Sequence, residues 1–406
     1  MSEWKKVKLE ELYEVHNGLS KGRQFFGTGF PFLTFSNVFN NWFLPKQLES
    51  LVQTTDKERE SCSIKAGDVF ITRTSETMDE LGMSSVALRD YPNATYNGFT
   101  KRLRPITDRV NPRYIGYYLR TPKFRGQFMA FSTMTTRASL ANNDLLNMAV
   151  ELPPMEIQLR IATILSRYDS LIENYQKQIK LLEEAAQRLY KEWFVDLRFP
   201  GHENTKIVDG VPEGWEKKPA LDFFEMSIGK TPPRAQKQWF TKGSNGIPWV
   251  SISDMKDTMF VQETAEELTQ DACENYNIKV VPKGTILLSF KLTVGRVAFA
   301  GADVCTNEAI AHFQKEGDEW KAYTLMYLRN YNYDSLGNTS GISKAVNSTI
   351  IKNMPFVMPC TAILQEFSQR VLPFIKQTEN LQSQIRLLTE ARDRLLPKLM
   401  SGDIEI

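Results

Sequence analysis

The sequence contains few of the residues that usually hold metals or act as nucleophiles. Its 406 residues include only 4 cysteines and 3 histidines. The cysteines lie far apart with no CxxC pair, which argues against a zinc site and is typical of a protein kept in a reducing cytoplasm. The histidines have no spacing that suits metal binding or a catalytic triad. These residues are Cys62, Cys273, Cys305 and Cys360, together with His16, His202 and His312.

Long apolar runs are also missing. No run approaches the length of about 18 apolar residues that a membrane span needs, and the opening MSEWKKVKLEEL lacks the apolar core of a signal peptide. We therefore expect a soluble cytoplasmic protein with no membrane partner. The charge is balanced, with 50 Lys+Arg against 48 Asp+Glu. A net charge of +2 neither requires nor excludes nucleic acid.

Motifs for catalysis are absent on close reading. Gly229-Lys230-Thr231 is similar to the end of a phosphate-binding loop, but Phe224 stands where that loop needs glycine, and two prolines follow. Asn111-Pro112-Arg113-Tyr114 is similar to the Asn-Pro-Pro-aromatic motif of adenine methyltransferases, but Arg113 replaces the second proline. A helix-start turn explains it. We therefore expect no active site in this chain.

The chain contains two diverged copies of one unit. The segment at 65–71 matches that at 282–288, each with a glycine turn before an apolar run, and the segment at 147–153 matches that at 353–359. The offsets between matched residues run from 206 to 217, so the copies differ in loop length. Short β-rich runs alternate with few helices in each copy, which predicts mixed α/β domains with mostly antiparallel strands.

A long helix is predicted after each copy. Apolar residues repeat at alternating steps of four and three from position 157 to 189 and again from 367 to 399. Ordinary core packing would explain one such stripe, but two helices closing two similar domains favour an intramolecular antiparallel coiled coil. Pro373 is expected to kink the second helix or to mark its start. The predicted seam residues are Ile161, Ile164, Leu171, Leu182, Leu189, Leu381, Ile385, Leu388 and Leu395.

Basic residues are concentrated in one window of the first copy. Residues 101–137 hold nine basic side chains and one acidic side chain, interleaved with aromatics that we expect in the core. Such a cluster favours phosphate contacts on DNA, although a solvated basic face is an open alternative. The second copy gives a weaker signal. Candidate DNA-binding residues are Arg73, Lys101, Arg102, Arg104, Thr136, Arg137, Lys291, Arg296, Lys344 and Asn347.

Four segments in order carry a family resemblance. Leu152-Pro153-Pro154-Met155-Glu156-Ile157-Gln158, Trp193-Phe194-Val195-Asp196, Val211-Pro212-Glu213-Gly214-Trp215 and the ending Leu395-Leu396-Pro397-Lys398-Leu399 resemble the specificity subunit of type I restriction-modification enzymes over essentially the whole chain. The start of the second helix, Pro359-Cys360-Thr361-Ala362-Ile363-Leu364, departs from the Pro-Pro-x-x-x-Gln pattern.

The resemblance implies an α+β fold with two target recognition domains, each followed by a long helix. The implied divisions are recognition domains at 1–151 and 201–358, and helical spacers at 152–200 and 359–406. Each domain would read half of a bipartite, asymmetric target in double-stranded DNA. The helices would set the spacing and dock two methyltransferase subunits, and motor-nuclease subunits would join. S-adenosylmethionine, ATP and Mg²⁺ are expected on those partners and not on this chain.

Two other function classes remain as alternatives. A coiled-coil scaffold or adaptor would explain the helices but not the basic window. A stand-alone DNA-modifying enzyme would need motifs that the sequence lacks.

Overall fold

The computed structural model describes residues 4–75, 81–131, 138–208, 210–243, 245–336 and 346–404. The chain divides into two compact units, of which the first consists of two segments and the second of one. Unit 1 comprises residues 1–171 and 388–406, and unit 2 comprises residues 172–387. Thr136, Arg137 and Lys344, which were predicted to bind DNA, lie outside the described residues.

Unit 1 contains an antiparallel sheet with the strand order β2-β9-β5-β7 and a smaller sheet with the order β4-β3-β8. The strands are β1 (Lys5–Lys8), β2 (Tyr13–Asn17), β3 (Phe26–Leu33), β4 (Leu51–Val52), β5 (Val69–Thr72), β6 (Thr74–Ser75), β7 (Ser84–Val86), β8 (Thr95–Tyr96), β9 (Thr100–Pro105), β10 (Ala138–Ser139) and β11 (Ala149–Leu152). The helices are α1 (Phe35–Asn40), α2 (Asp56–Ser61), α3 (Pro112–Tyr118), α4 (Pro122–Phe131), α5 (Asn142–Asn147) and the start of α6 (Met155–Tyr190).

Unit 2 repeats this plan with the sheet orders β15-β23-β20-β21-β18 and β16-β19-β17-β22. The strands are β12 (Ile207–Val208), β13 (Val211–Pro212), β14 (Glu216–Pro219), β15 (Glu225–Ile228), β16 (Phe240–Thr241), β17 (Ile247–Val250), β18 (Phe260–Val261), β19 (Glu266–Leu268), β20 (Ile286–Ser289), β21 (Val297–Ala300), β22 (Cys305–Thr306), β23 (Ile310–Gln314) and β24 (Pro355–Met358). The helices are α7 (Gln270–Asn275), α8 (Lys321–Asn330), α9 (Ser348–Lys352) and the start of α10 (Thr361–Ser401).

The strand register confirms the duplication. Val69 pairs with Leu103 in unit 1, and Ile286 pairs with Phe313 in unit 2, each in an antiparallel ladder. The turn before each central strand needs a glycine, because Gly67 and Gly284 have φ values of 90° and 83°. The predicted fold class, two mixed α/β domains with mostly antiparallel strands and a long helix after each, is confirmed.

The long helices pair in opposite directions. In unit 1 the start of α6 packs against the end of α10, through Ile161 and Leu165 on one side and Leu396 and Leu399 on the other. In unit 2 the end of α6 packs against the start of α10, where Tyr190 shares a core with Phe367, Val371 and Ile375. Apolar side chains at heptad spacing therefore form an antiparallel pair.

The predicted seam residues are buried to different degrees. Ile161 and Leu381 are fully enclosed, and Leu171 is 42% exposed. The remaining seam residues are half-buried: Ile164, Leu182, Leu189, Ile385, Leu388 and Leu395.

The second helix begins at Thr361, so the hypothesis that Pro373 marks its start is wrong. Proline lacks the N–H that would bond the carbonyl of Gln369. Because Pro373 and Gln369 are both exposed, water can bond that carbonyl and the helix continues. The departure from the Pro-Pro-x-x-x-Gln pattern reflects the loss of side-chain hydrogen bonds between the helix and its domain. In α6, Gln158 accepts from the N–H of Asn111 at 2.8 Å, and Leu364 stands at the corresponding place in α10.

The polar seam residue Arg392 has partners. Arg392 of α10 forms an ion pair with Asp169 of α6 at 2.7 Å, and its guanidinium lies over the Trp42 ring. The hydroxyl of Tyr117, on α3, also donates to Asp169. This cluster ties both long helices to the domain of unit 1 and fixes the register of the pair there.

Candidate DNA interface

The central sheet of each unit has one end at which four strands begin or end together. In unit 1 the connecting segments there are 18–23, 73–75, which includes the short strand β6, and 97–99, and in unit 2 they are 229–234, 290–296 and 307–309. We call these residues the loop end of each sheet. Loops on a rigid sheet are where binding residues commonly lie.

One glycine and one asparagine shape each loop end. A Cβ on Gly18 would lie 2.1 Å from the carbonyl oxygen of Asn97, and a Cβ on Gly229 would lie 2.2 Å from that of Asn307. Each asparagine side chain accepts a backbone N–H two residues on, from Phe99 in unit 1 and Ala309 in unit 2. The same turn is thus built twice, which aligns the two loop ends residue by residue.

Unit 1 brings the predicted residues Arg73 and Lys101 together. The ammonium of Lys101 donates to the side-chain oxygens of Asn17, at 3.3 Å, and of Asn142. Burial, and then the charge of Arg73, lower the pKa of Lys101. Lys101 is 4% exposed, as Arg102 is, whereas Arg73 is half-buried. Within the described residues neither Arg73 nor Lys101 has an ion-pair partner, so an anion such as a phosphate that reached this loop end would be stabilised beside them.

Arg102 and Arg104 have partners inside unit 1. Arg102 donates to the carbonyl of Ser63 at 2.8 Å and is 4% exposed. Arg104 forms a two-point ion pair with the buried Asp68, at 2.8 and 2.7 Å. This contact is the main reason why the pKa of Arg104 is raised. Their contact with DNA stays a prediction, and internal hydrogen bonds already account for both charges.

Of the residues predicted to bind DNA in unit 2, one lies on an exposed loop and two make hydrogen bonds within the unit. Lys291 lies on the loop after β20, next to Leu292, which is 76% exposed. Arg296 donates to the carbonyl of Ile252 at 2.7 Å, and Asn347 accepts the N–H of Ile350 at 2.8 Å as the cap of α9. Lys291 is thus available to a ligand, whereas Arg296 and the Asn347 oxygen hold the loops in place.

Sequence reasoning missed part of this loop end. The loop after β15 contains Lys230, Thr231 and Arg234. Its sequence was compared only with that of a phosphate-binding loop. The guanidinium of Arg234 forms an ion pair with Glu266 at 2.6 Å and lies over the Trp249 ring at 4.5 Å. Glu308 lies in the turn opposite them. Aligning Gly18 with Gly229 would have found this loop, because Arg23 and Arg234 follow at the same distance.

The aromatics of the basic window belong to the core, as predicted. Tyr114, Tyr117, Tyr118, Phe124 and Phe128 are buried in the core of unit 1. Burial raises the pKa of the Tyr118 hydroxyl to about 12. These rings therefore support the sheet and do not stack on bases.

One buried histidine marks a difference between the units. His312 takes the place on β23 that Arg102 holds on β9, since both face the centre of the β20 or β5 strand. Its two ring nitrogens lie 2.8 Å from the hydroxyls of Ser227 and Thr306. Burial, with a smaller contribution from the charge of Lys279, lowers the pKa of His312 to about 4.

Acid is therefore expected to destabilise unit 2 through His312. An unfolded histidine binds a proton near pH 6.5 while the folded one stays neutral to about pH 4, so stability present above pH 6.5 is lost as the pH falls through that window. The full contribution is about 3 kcal/mol. Urea unfolding between pH 7.5 and 4.5 measures it, with His312→Gln as the control. Parallel pH profiles for the two proteins would contradict this assignment.

The described residues contain no group of three or more His, Cys, Asp or Glu side chains placed to hold a metal ion. Within the same ranges, no helix combines the length and apolarity needed to cross a bilayer.

The doubled domain with paired long helices defines a class of protein. A family model described as the type I restriction modification DNA specificity domain matches residues 1–184 and 212–389. The chain belongs to this family and carries two copies of its domain.

Individual relatives match along the whole chain. The MjaIX type I restriction enzyme specificity subunit of Methanocaldococcus jannaschii is 26% identical, covering 100% of this chain and 94% of the relative. The HindI specificity subunit of Haemophilus influenzae is 23% identical, covering 100% of both. The crystal structure of the type I restriction-modification S subunit from M. genitalium has a TM-score of 0.59 at 12% identity, covering 98% of this chain and 96% of that one. That likeness shows a shared fold.

Proposed function

We propose that this chain is the non-catalytic DNA-recognition subunit of a type I restriction-modification complex, acting in the cytoplasm. Each unit reads one half of a bipartite, asymmetric target in double-stranded DNA, and the helix pair sets the gap between the halves. Two methyltransferase subunits and motor-nuclease subunits dock on the chain. They carry S-adenosylmethionine, ATP and Mg²⁺, and this chain binds none of these.

One observation carries the proposal: the same loop end is built twice with different side chains. Lys101 of unit 1 corresponds to Ala311 of unit 2, and Arg73 corresponds to Phe290, because Leu140 and Val346 donate to the carbonyls of Arg73 and Phe290 in the same way. Base edges are distinguished by the side chains presented to them. Two loop ends with the same backbone and different side chains are therefore suited to read two different half-sites.

Methylome sequencing tests the proposal. Cells with the gene are expected to methylate one asymmetric, gapped motif on adenine, and cells without it are expected to lose that motif alone. Reconstitution adds a second arm, in which the chain is purified with its methyltransferase partner. Methyl transfer by the isolated chain, or an unchanged methylome after deletion, would overturn the proposal.

Removing the paired cations of unit 1 is expected to weaken DNA binding and its salt dependence. Arg73→Gln with Lys101→Gln removes two phosphate partners, so the slope of log K against log salt should fall by about 2. Glutamine keeps a donor for Asn17. Fluorescence anisotropy of the assembled complex on labelled DNA measures this slope. Lys6→Gln, on exposed strand β1, is the matched control and should leave the slope unchanged.

A further inference from the structure

The loop end of unit 2 contains one acidic side chain among cations. Glu308 is exposed, in the turn between β22 and β23, and it faces the loops that carry Lys291 and Arg234. A surface that meets phosphates gains from cations and loses affinity from a carboxylate. The presence of Glu308 therefore needs a reason other than phosphate binding.

A direct ion pair is not that reason. Among the described residues Glu308 forms no salt bridge. Arg234 has its own partner in Glu266, at 2.6 Å, and also lies over two aromatic rings. Lys230 donates to the carbonyl of Asn277 at 2.9 Å. Arg234 and Lys230 therefore have partners other than Glu308, and Lys291 acts on the Glu308 carboxylate through its charge without an ion pair among the described residues.

The carboxylate is nevertheless held in place. The Thr231 hydroxyl donates a hydrogen bond to one of its oxygens. Burial works to raise the pKa of Glu308, but the hydrogen bonds from Thr231 and the backbone, and the charges of Lys291 and Arg234, outweigh it and lower the pKa. Glu308 is therefore ionised at neutral pH. A carboxylate accepts several hydrogen bonds, so the contact with Thr231 leaves capacity for a ligand that donates.

The corresponding residue of unit 1 is Gly98. Both residues follow the asparagine of the same turn, Asn97 or Asn307, whose side chains cap the turn at 2.9 and 3.1 Å. The turn therefore folds without a carboxylate. Glu308 is thus an extra side chain on a turn that both units share, at a place where the two units would read different half-sites.

We propose that Glu308 is a specificity-determining residue that accepts a hydrogen bond from the exocyclic amino group of a cytosine in the major groove, with Thr231 as its positioning residue. This inference rests on the proposed function. The amino group of cytosine is a donor that a carboxylate recognises, whereas guanine and thymine present acceptors at that edge, which a carboxylate repels. Adenine presents its amino group beside the acceptor N7, which suits an amide better than a carboxylate.

Glu308→Gln is the first test. It keeps the shape and removes the charge, so the preference for cytosine at one position of one half-site should fall by about tenfold or more. Adenine, which pairs with an amide through a donor and an acceptor, should be accepted there. Methylome sequencing of cells carrying the variant measures base frequencies at every position. Glu308→Gly, which reproduces the turn of unit 1, should relax the same position without gaining adenine.

Non-specific binding separates this role from a structural one. Removal of a negative charge should leave the affinity of the assembled complex for a random duplex at low salt equal or tighter. A structural defect would lower specific and non-specific affinity together. Thr231→Val should relax the same position as Glu308→Gln, and Thr231→Ser, which keeps the hydroxyl, should preserve it.

The outcomes distinguish the inference from the proposed function. A wild-type methylome without a gapped motif would overturn both. A wild-type gapped motif that Glu308→Gln recognises with unchanged strictness, or with equal loss at every position, would overturn the role of Glu308 alone.

Discussion

Inserting four residues after Leu171 and four after Leu387 is expected to widen the unread gap of the DNA target by about two base pairs. Each helix passes from one unit to the other at these residues. Four residues add about 6 Å to an α-helix and preserve its face to within about 40°. Base pairs rise by about 3.4 Å, so the methylated motif should keep both half-sites and change only its spacing. Methylome sequencing measures the new gap.

Single insertions provide the control. Lengthening α6 alone shifts its seam residues relative to those of α10. Apolar side chains of one helix then face polar side chains of the other in one unit, so DNA methylation by the complex should be lost. The paired insertion should restore methylation at the longer gap. An active enzyme with both insertions and the original gap would show that the helices do not set the spacing.

Arg120→Met is expected to lower the free energy of unfolding of unit 1 by about 3–5 kcal/mol. The Arg120 guanidinium, at the end of α3, donates to four backbone carbonyls at 2.7 to 3.0 Å: those of Ser84, Val38, Phe39 and Asn41. Methionine fills similar space but leaves these carbonyls without a donor. Burial, together with the charge of Arg125, lowers the pKa of Arg120 to about 10, so it is charged at neutral pH. Amide hydrogen exchange in β5 and β9 during urea titration reports this loss.

The duplication supplies a matched comparison in Arg329. This residue holds the equivalent position in α8, but its bonds to the carbonyls of Val297 and Thr258 are 3.3 to 3.4 Å long. It also forms a partly exposed ion pair with Glu183 at 3.2 Å, which adds little. Arg329→Met should therefore cost unit 2 about 1–2 kcal/mol. Equal losses in the two units would show that the number and length of the carbonyl contacts do not determine stability.

The features of the fold that could be predicted from the sequence were those that repeat at a regular spacing along the chain. Seam positions from Ile161 to Leu399 follow a heptad repeat, and the match of Gly67 with Gly284 reveals the duplication before any contact is known. Both signals depend on spacing along the chain, and the structure confirms them. The buried aromatics near Tyr114 were also predictable, because duplex DNA presents no splayed bases to stack on.

The interface was less visible because it depends on contacts between distant residues. Arg104 was selected for its charge, but its partner Asp68 lies 36 residues earlier and is fully buried. Glu308 meets Thr231 across 77 residues, and no local pattern joins them. A count of basic residues also overlooks an acidic residue such as Glu308. Its role can be inferred only when the surface on which it lies is known.

Because α6 and α10 each contribute to both units, the order in which the units fold differs from the order in which they are translated. The core of unit 1 includes Leu396, Leu399 and Met400, so that core cannot close until the whole of unit 2 has been translated. At about 5–20 residues per second, the 216 residues from Ile172 to Leu387 take roughly 10 to 45 s. The apolar face of α6 near Ile161 stays uncovered throughout that time. Unit 2, which is contiguous, can finish first, so the half of the protein made last is the half that folds first.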